Sequence, residues 1–108
     1  METIRKLWGF LEAAEADPKL TPSHISLYLA LVYAWEEGGS QNPVSVHRSE
    51  VMRRSKIAGR TTYQKCIQDL DRYGYIRYIP SFNHYIGSVV YLSGFPECVA
   101  RIQVSRKN

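Results

Sequence analysis

The sequence predicts a mainly α-helical domain with a small β-hairpin, an α+β fold, and three observations support this prediction. Apolar residues recur at three- and four-residue spacing in three segments before residue 74, which is the period of amphipathic helices. Two runs rich in β-branched and aromatic residues follow, at 75–79 and 88–92, and predict the strands of a hairpin. The chain has 108 residues and is 44% hydrophobic, so one domain can form a core without disulfides or metal.

The first helix is predicted over residues 3–16 and ends at Asp17-Pro18. Its spacing makes it amphipathic, with an apolar stripe formed by Ile4, Leu7, Trp8, Leu11 and Ala14. Phe10 lies off this stripe and therefore needs a second contact, either with the body of the domain or with another subunit.

The second helix is predicted from Thr21 to Glu37 and should be the central helix of the core. Thr21 can cap free amides, and Pro22 suits the first helical position. Gly38 and Gly39 end the helix.

A short strand at 44–46 should pair with the hairpin, and a short helix is predicted over 47–54. The turn 55–59 contains Ile57, whose apolar side chain should be buried in the core. The next helix begins at Arg60, and its core stripe is formed by Tyr63, Cys66, Ile67 and Leu70.

The net charge of +4 is unevenly distributed. Residues 1–43 carry −3 and residues 44–108 carry +7, with five bases and no acid between Arg53 and Lys65. Such a bias is expected of a surface that faces phosphates, although a solvated helix face is the simpler alternative.

The exposed face of the helix at 60–73 follows by subtraction from its core stripe. The candidate DNA contacts on this face, all of which can donate hydrogen bonds to base edges or phosphates, are Arg60, Thr61, Thr62, Gln64, Lys65 and Gln68. The bases expected to hold flanking phosphates are Arg48, Arg53, Arg54 and Lys56.

The hairpin loop, residues 80–87, contains no Lys, Arg, Asp or Glu. Asn83 and His84 could reach the minor groove of DNA. Alternatively, Phe82, Tyr85 and Ile86 could pack on a neighbouring chain.

Several function classes lack a sequence signal. Cys66 and Cys98 are far apart and the three histidines are scattered, so we expect neither a metal site nor a cofactor. No nucleophile motif or phosphate-binding glycine loop indicates an enzyme, and the dispersed carboxylates Glu50, Asp69 and Asp71 are expected on helix surfaces. No apolar run is long enough for a membrane span, and no secretory signal is evident, so a cytoplasmic protein is expected.

The chain should therefore be one domain, 1–108, in three parts. These are an N-terminal helical part (1–43), a helix-turn-helix followed by the hairpin (44–93), and a C-terminal segment (94–108) whose structure could be a strand or a helix.

The order helix, turn, helix, hairpin is that of the winged helix-turn-helix superfamily, and the chain resembles it in Arg60-Thr-Thr-Tyr63, Ile67, Leu70 and Gly74-Tyr-Ile76. Leu20-Thr-Pro-Ser-His-Ile25 and Asn42-Pro43-Val44 also resemble small helix-turn-helix proteins of bacterial mobile elements. The resemblance implies a winged helix domain with an extra N-terminal helix. It further implies a transcriptional regulator, or an accessory factor for replication, excision or transfer. The chain departs from the pattern at Gly59, where serine is usual, and in its uncharged wing.

Two functions thus remain open at the level of sequence. The first is duplex DNA binding, and the alternative is a winged helix protein-interaction module without specific DNA binding. A homodimer would double the length of DNA read, with half-sites about one helical turn apart. Its interface could be the N-terminal helix, through Trp8 and Phe10, or the wing, through Phe82 and Tyr85.

Overall fold

The computed structural model describes residues 2–80 and 87–92, which form four helices and a three-stranded antiparallel sheet. The predicted α+β class is confirmed. The elements are α1 (Glu2–Glu15), α2 (Pro22–Glu37), β1 (Val44–Val46), α3 (Arg48–Ser55), α4 (Arg60–Arg72), β2 (Ile76–Ile79) and β3 (Ser88–Leu92).

Helix α2 begins where local chemistry predicts. The Thr21 side chain accepts a hydrogen bond from the amide of His24, and the Thr21 amide donates in return to the His24 ring. Such reciprocal capping satisfies amides that the first turn of a helix leaves unpaired. The helix lies at the centre of the fold and contacts α1, α3, α4 and two strands.

The sheet has the strand order β1-β3-β2, so the short first strand lies beside the last one. Val44 pairs with Val90, and Val90 pairs on its other side with Tyr78. Just before β1, the side-chain amide of Asn42 accepts a hydrogen bond from the Leu92 backbone amide at 3.0 Å and donates one to the Leu92 carbonyl at 3.2 Å. The predicted pairing of the short strand with the hairpin is confirmed.

One core joins the sheet to the helices. Its side chains come from every helix and strand described, and the most completely buried apolar ones are Leu27, Tyr28, Leu31, Val32, Ile67, Leu70, Ile76, Val90 and Leu92. The stripe predicted for α4 is confirmed as buried, and so is Ile57 in the turn before it.

Helix α1 is rotated relative to its apolar stripe. Ile4, Trp8 and Leu11 are 51%, 65% and 42% exposed, whereas Phe10 is buried. The reason is aromatic packing, because the Phe10 ring stacks on that of Tyr28 with centroids 3.8 Å apart.

The buried face of α1 also includes Lys6, whose ammonium group lies 4.7 Å from the centre of the Trp35 ring. Phe10 makes an edge contact with Tyr75, with centroids 5.5 Å apart. The proposed use of Phe10 in a dimer interface is therefore wrong, since its ring is enclosed within its own chain.

No helix within residues 2–80 and 87–92 is both long and apolar enough to cross a bilayer.

Candidate nucleic-acid interface

Helices α3 and α4 are joined by a tight turn whose backbone is set by three residues. Lys56 ends α3 in the left-handed conformation, with φ of 67°, and Ile57 then points into the core. Gly59 is the N-cap of α4 and has no side chain to bond the first amides of that helix. The α4 N-terminus therefore offers amides and a positive dipole end to an anion.

A groove of about 540 Å³ lies between α3 and the start of α4. Its lining combines apolar groups with four bases and no acid: Arg48, Ser49, Met52, Arg53, Lys56, Ile57, Ala58 and Arg60. We call this the basic groove. Three of the bases predicted to hold phosphates are in it, together with Arg60.

The exposed face of α4 continues from the basic groove. Arg60, Thr61, Thr62, Lys65 and Gln68 are exposed, and Gln64 is half-buried. A second groove, of about 450 Å³, lies along this face and is lined by Thr61, Gln64, Lys65, Gln68, Asp69 and Arg72. The sequence thus predicted which side of α4 is outward. Contact of that side with DNA stays a prediction.

Asp69 is only 2% exposed, so its expected place on a helix surface is wrong. Its carboxylate accepts from His24 Nε2 at 2.9 Å and Lys65 Nζ at 3.2 Å, and it also bonds Arg72. Burial alone would raise the Asp69 pKa, but the hydrogen bonds from His24 and Lys65, with the nearby charges, hold it below the usual value.

The ring of His24 is held in one tautomer. Its Nδ1 atom lies 2.9 Å from the Thr21 amide, which can only donate, so Nδ1 accepts. The proton of the neutral ring is then on Nε2, where it is donated to Asp69. The start of α2 is thereby tied to the middle of α4.

Asp69 also organises the outward face of α4. Lys65 and Arg72 have side chains that are 71% and 64% exposed, yet both are bonded to the buried carboxylate. A buried charge with several donors is held firmly, because breaking the set would leave it unpaired. The two cations are therefore presented to solvent from a fixed anchor.

Arg54 is paired within its own chain, and its contact with a phosphate stays a prediction. Its guanidinium pairs with Glu37 at 2.8 Å and with Glu50 at 3.0 Å, and it lies 4.2 Å from the centre of the Tyr33 ring. Hydrogen bonding to Glu37 raises the Arg54 pKa further above its ordinary value. These contacts commit Arg54 to joining α3 to α2.

Two residues that line the candidate interface were not predicted from the sequence. Ser49 lines the basic groove, and Arg72 lines the groove along α4. The signal for Arg72 was present, since it lies four residues after Gln68 and so on the same helical face.

The predicted contacts in the wing, Asn83 and His84, lie outside the described residues, as do Phe82, Tyr85 and the C-terminal segment. Within residues 2–80 and 87–92, no three His, Cys, Asp or Glu side chains are grouped so as to hold a metal ion. Cys66 is buried, and burial raises the pKa of its thiol.

Comparison with protein-family models, with curated proteins and with solved structures found no match for this chain.

Proposed function

We propose that the chain binds duplex DNA as a winged helix-turn-helix domain, with α4 in the major groove. The observation that carries this proposal is one continuous surface, formed by the basic groove and the outward face of α4. On this surface four bases surround an uncapped helix N-terminus, and donor side chains follow it along the helix. DNA-binding helix-turn-helix domains use such a surface for phosphates and base edges.

The pairing of two acidic side chains at this surface supports the same function. Glu50 is paired with Arg54, and Asp69 is buried beneath Lys65 and Arg72. These two carboxylates, which would repel a phosphate backbone, are thus paired with cations.

The arrangement of the elements supports the winged helix form. Helix α2, strand β1, helices α3 and α4 and the β2–β3 hairpin follow one another, and β1 lies on the outer side of β3. The resemblance to small proteins of bacterial mobile elements favours a regulator, or an accessory factor for replication or excision.

The mechanism divides the surface into two kinds of contact. Arg48, Arg53 and Lys56 hold phosphates beside the groove, together with the amides at the start of α4. The α4 side chains that reach base edges are Thr61, Gln64 and Gln68, with Arg60 and Lys65 at either end of the first two turns. Arg72 extends the phosphate contacts along the helix.

The test is fluorescence polarisation of mixed-sequence duplex DNA at several salt concentrations. If the bases of this surface neutralise about five phosphates, the log–log salt slope should be about −4 to −5. The double variant Arg60→Ala, Lys65→Ala should lose most of the affinity. The matched control for the single variant Arg60→Ala is Lys19→Ala, which removes the same charge from the N-terminal part and should change affinity much less.

A protein-interaction module is the second candidate, and the exposed apolar side chains of α1 favour it. In that case the double variant at Arg60 and Lys65 would leave partner binding intact, and the salt slope for DNA would be close to zero.

A further inference from the structure

The outward side of α1 is an apolar surface in an otherwise polar region. Ile4, Trp8 and Leu11 follow one another at helical spacing and are all exposed, and we call them the α1 strip. Single exposed apolar residues are ordinary, but a contiguous row with a tryptophan at its centre indicates an interaction surface.

Helix α2 widens this surface. Phe10 stacks on Tyr28, and Thr3 bonds Glu36, so α1 and α2 run antiparallel. In an antiparallel pair, the residues that follow two contacting residues turn to the same side. Leu11 and Leu29, which is 41% exposed, therefore share one side of the helix pair.

Two charges beside the α1 strip are self-complementary. Arg5 and Glu12 are both exposed and lie seven residues apart, on the same flank of the helix. When two copies of α1 meet antiparallel about Trp8, Ile4 of one copy comes near Leu11 of the other. Arg5 then comes within reach of Glu12, and the two-fold axis repeats this pair.

We propose that the α1 strip is the contact surface for a second copy of this chain, with the two α1 helices antiparallel. Such an interface is isologous, because the same patch serves both copies. It uses Ile4, Trp8, Leu11 and Leu29 as its centre and the Arg5–Glu12 pairs at its rim.

The size of the surface sets the expected strength of the dimer. Helix α1 has 14 residues and is about 21 Å long, at 1.5 Å per residue. A surface about one to two helices wide is at or below the roughly 800 Å² per partner of a standard interface. The dimer should therefore be weak, with a dissociation constant on the order of micromolar.

The proposed interface also determines where α4 points. His24, which contacts α4, and Leu29 are five residues apart and so lie about 140° apart around α2. The dimer contact is consequently on the side of α2 away from α4. The two α4 faces then point away from each other, so the dimer joins two duplex segments. This last step rests on the proposed function, whereas the dimer contact itself does not.

The dimer is tested by sedimentation velocity on the full chain from about 1 to 200 µM, a range that brackets a micromolar dissociation constant. Trp8→Glu should give a monomer throughout, and Ile79→Glu, at an exposed apolar position on the sheet, should behave as the unaltered chain. Arg5→Glu and Glu12→Arg should each weaken the dimer about threefold or more, and the double variant should restore it.

Bridging is tested by energy transfer between donor- and acceptor-labelled duplexes at protein concentrations where the dimer forms. Transfer that Trp8→Glu abolishes, while polarisation still detects DNA binding, supports the outward arrangement. A strict monomer, or a dimer indifferent to Trp8, would overturn the proposed interface whether or not DNA binds. A Trp8-dependent dimer that binds DNA without transfer would overturn the arrangement of the α4 faces.

Discussion

Helices α4 and α1 each have one buried and one exposed face. The predicted apolar stripe is buried in α4, whereas in α1 only Leu7 and Ala14 of the stripe contact the core and its other three residues are exposed. In α4 the stripe meets the core and the outward face is polar and basic. In α1 the buried face holds Lys6 and Phe10, while Ile4, Trp8 and Leu11 are exposed. Apolar periodicity therefore identifies residues that share a face, whereas the packing partner decides which face is buried.

The largest expected effect tests this contrast within α1. Phe10→Ala should lower the free energy of unfolding by about 3–5 kcal/mol, because it removes a buried ring that packs on Tyr28 and Tyr75. Trp8→Ala should change it by less than about 0.5 kcal/mol, since the side chain is exposed. Urea unfolding, monitored by circular dichroism at low protein concentration, measures both values.

Low concentration matters because a dimer through the α1 strip would add stability that depends on Trp8. Equal losses for the two variants would contradict the observed rotation of α1.

A smaller effect is expected from the buried anchor of α4. Asp69→Asn should lower the free energy of unfolding by about 1–3 kcal/mol, because the new amide must present N–H groups to partners that are themselves donors. Asp71→Asn, at a more exposed position two residues later, is the matched control.

Asp69 should also contribute to acid sensitivity. Its pKa is lower in the folded chain than in the unfolded one, so its stabilising contribution is present above about pH 4 and is lost as pH falls through the folded value. Asp69→Asn should therefore flatten the fall in stability on acidification, leaving the share due to Asp17, whose pKa is lowered mainly by the Tyr75 hydroxyl. An unchanged acid profile would argue against the bonded carboxylate.

The smallest effect separates two neighbouring arginines. Arg53 lines the basic groove, whereas Arg54 is engaged with Glu37, Glu50 and Tyr33. Arg53→Ala should reduce the magnitude of the salt slope of DNA binding by about 0.9, and Arg54→Ala should leave it nearly unchanged. Arg54→Ala should instead lower the free energy of unfolding slightly, because it removes the ion pairs with Glu37 and Glu50. Fluorescence polarisation at several salt concentrations measures the slopes, and urea unfolding measures the stability. Equal slopes for the two variants would show that Arg54 also contacts phosphate.

The elements of the fold were predictable where the determining interactions are local. Thr21 and Pro22 start α2 through contacts within four residues, and the α4 stripe follows from helical spacing. The rotation of α1 was not predictable, because it depends on rings at positions 28, 35 and 75 that the sequence does not place beside Phe10 or Lys6.

The candidate site divides in the same way. The outward face of α4 follows from the position of its buried stripe. The ion pairing of two charged residues could not be predicted in this way. Arg54 is paired with a glutamate 17 residues away, and Asp69 is bonded to a histidine 45 residues away. The charge of each side chain can be taken from the sequence, but the residue with which it pairs depends on the fold.

The left-handed backbone of Lys56 has a consequence for any attempt to make the protein more heat-resistant. Glycine adopts a φ of 67° freely, whereas a residue with a Cβ does so at an energetic cost of about 1 kcal/mol. Selection for thermal resistance alone would favour Lys56→Gly, and that change would remove a cation from the basic groove. Under the proposed function, the stability of the turn favours glycine at position 56, whereas DNA binding favours lysine there.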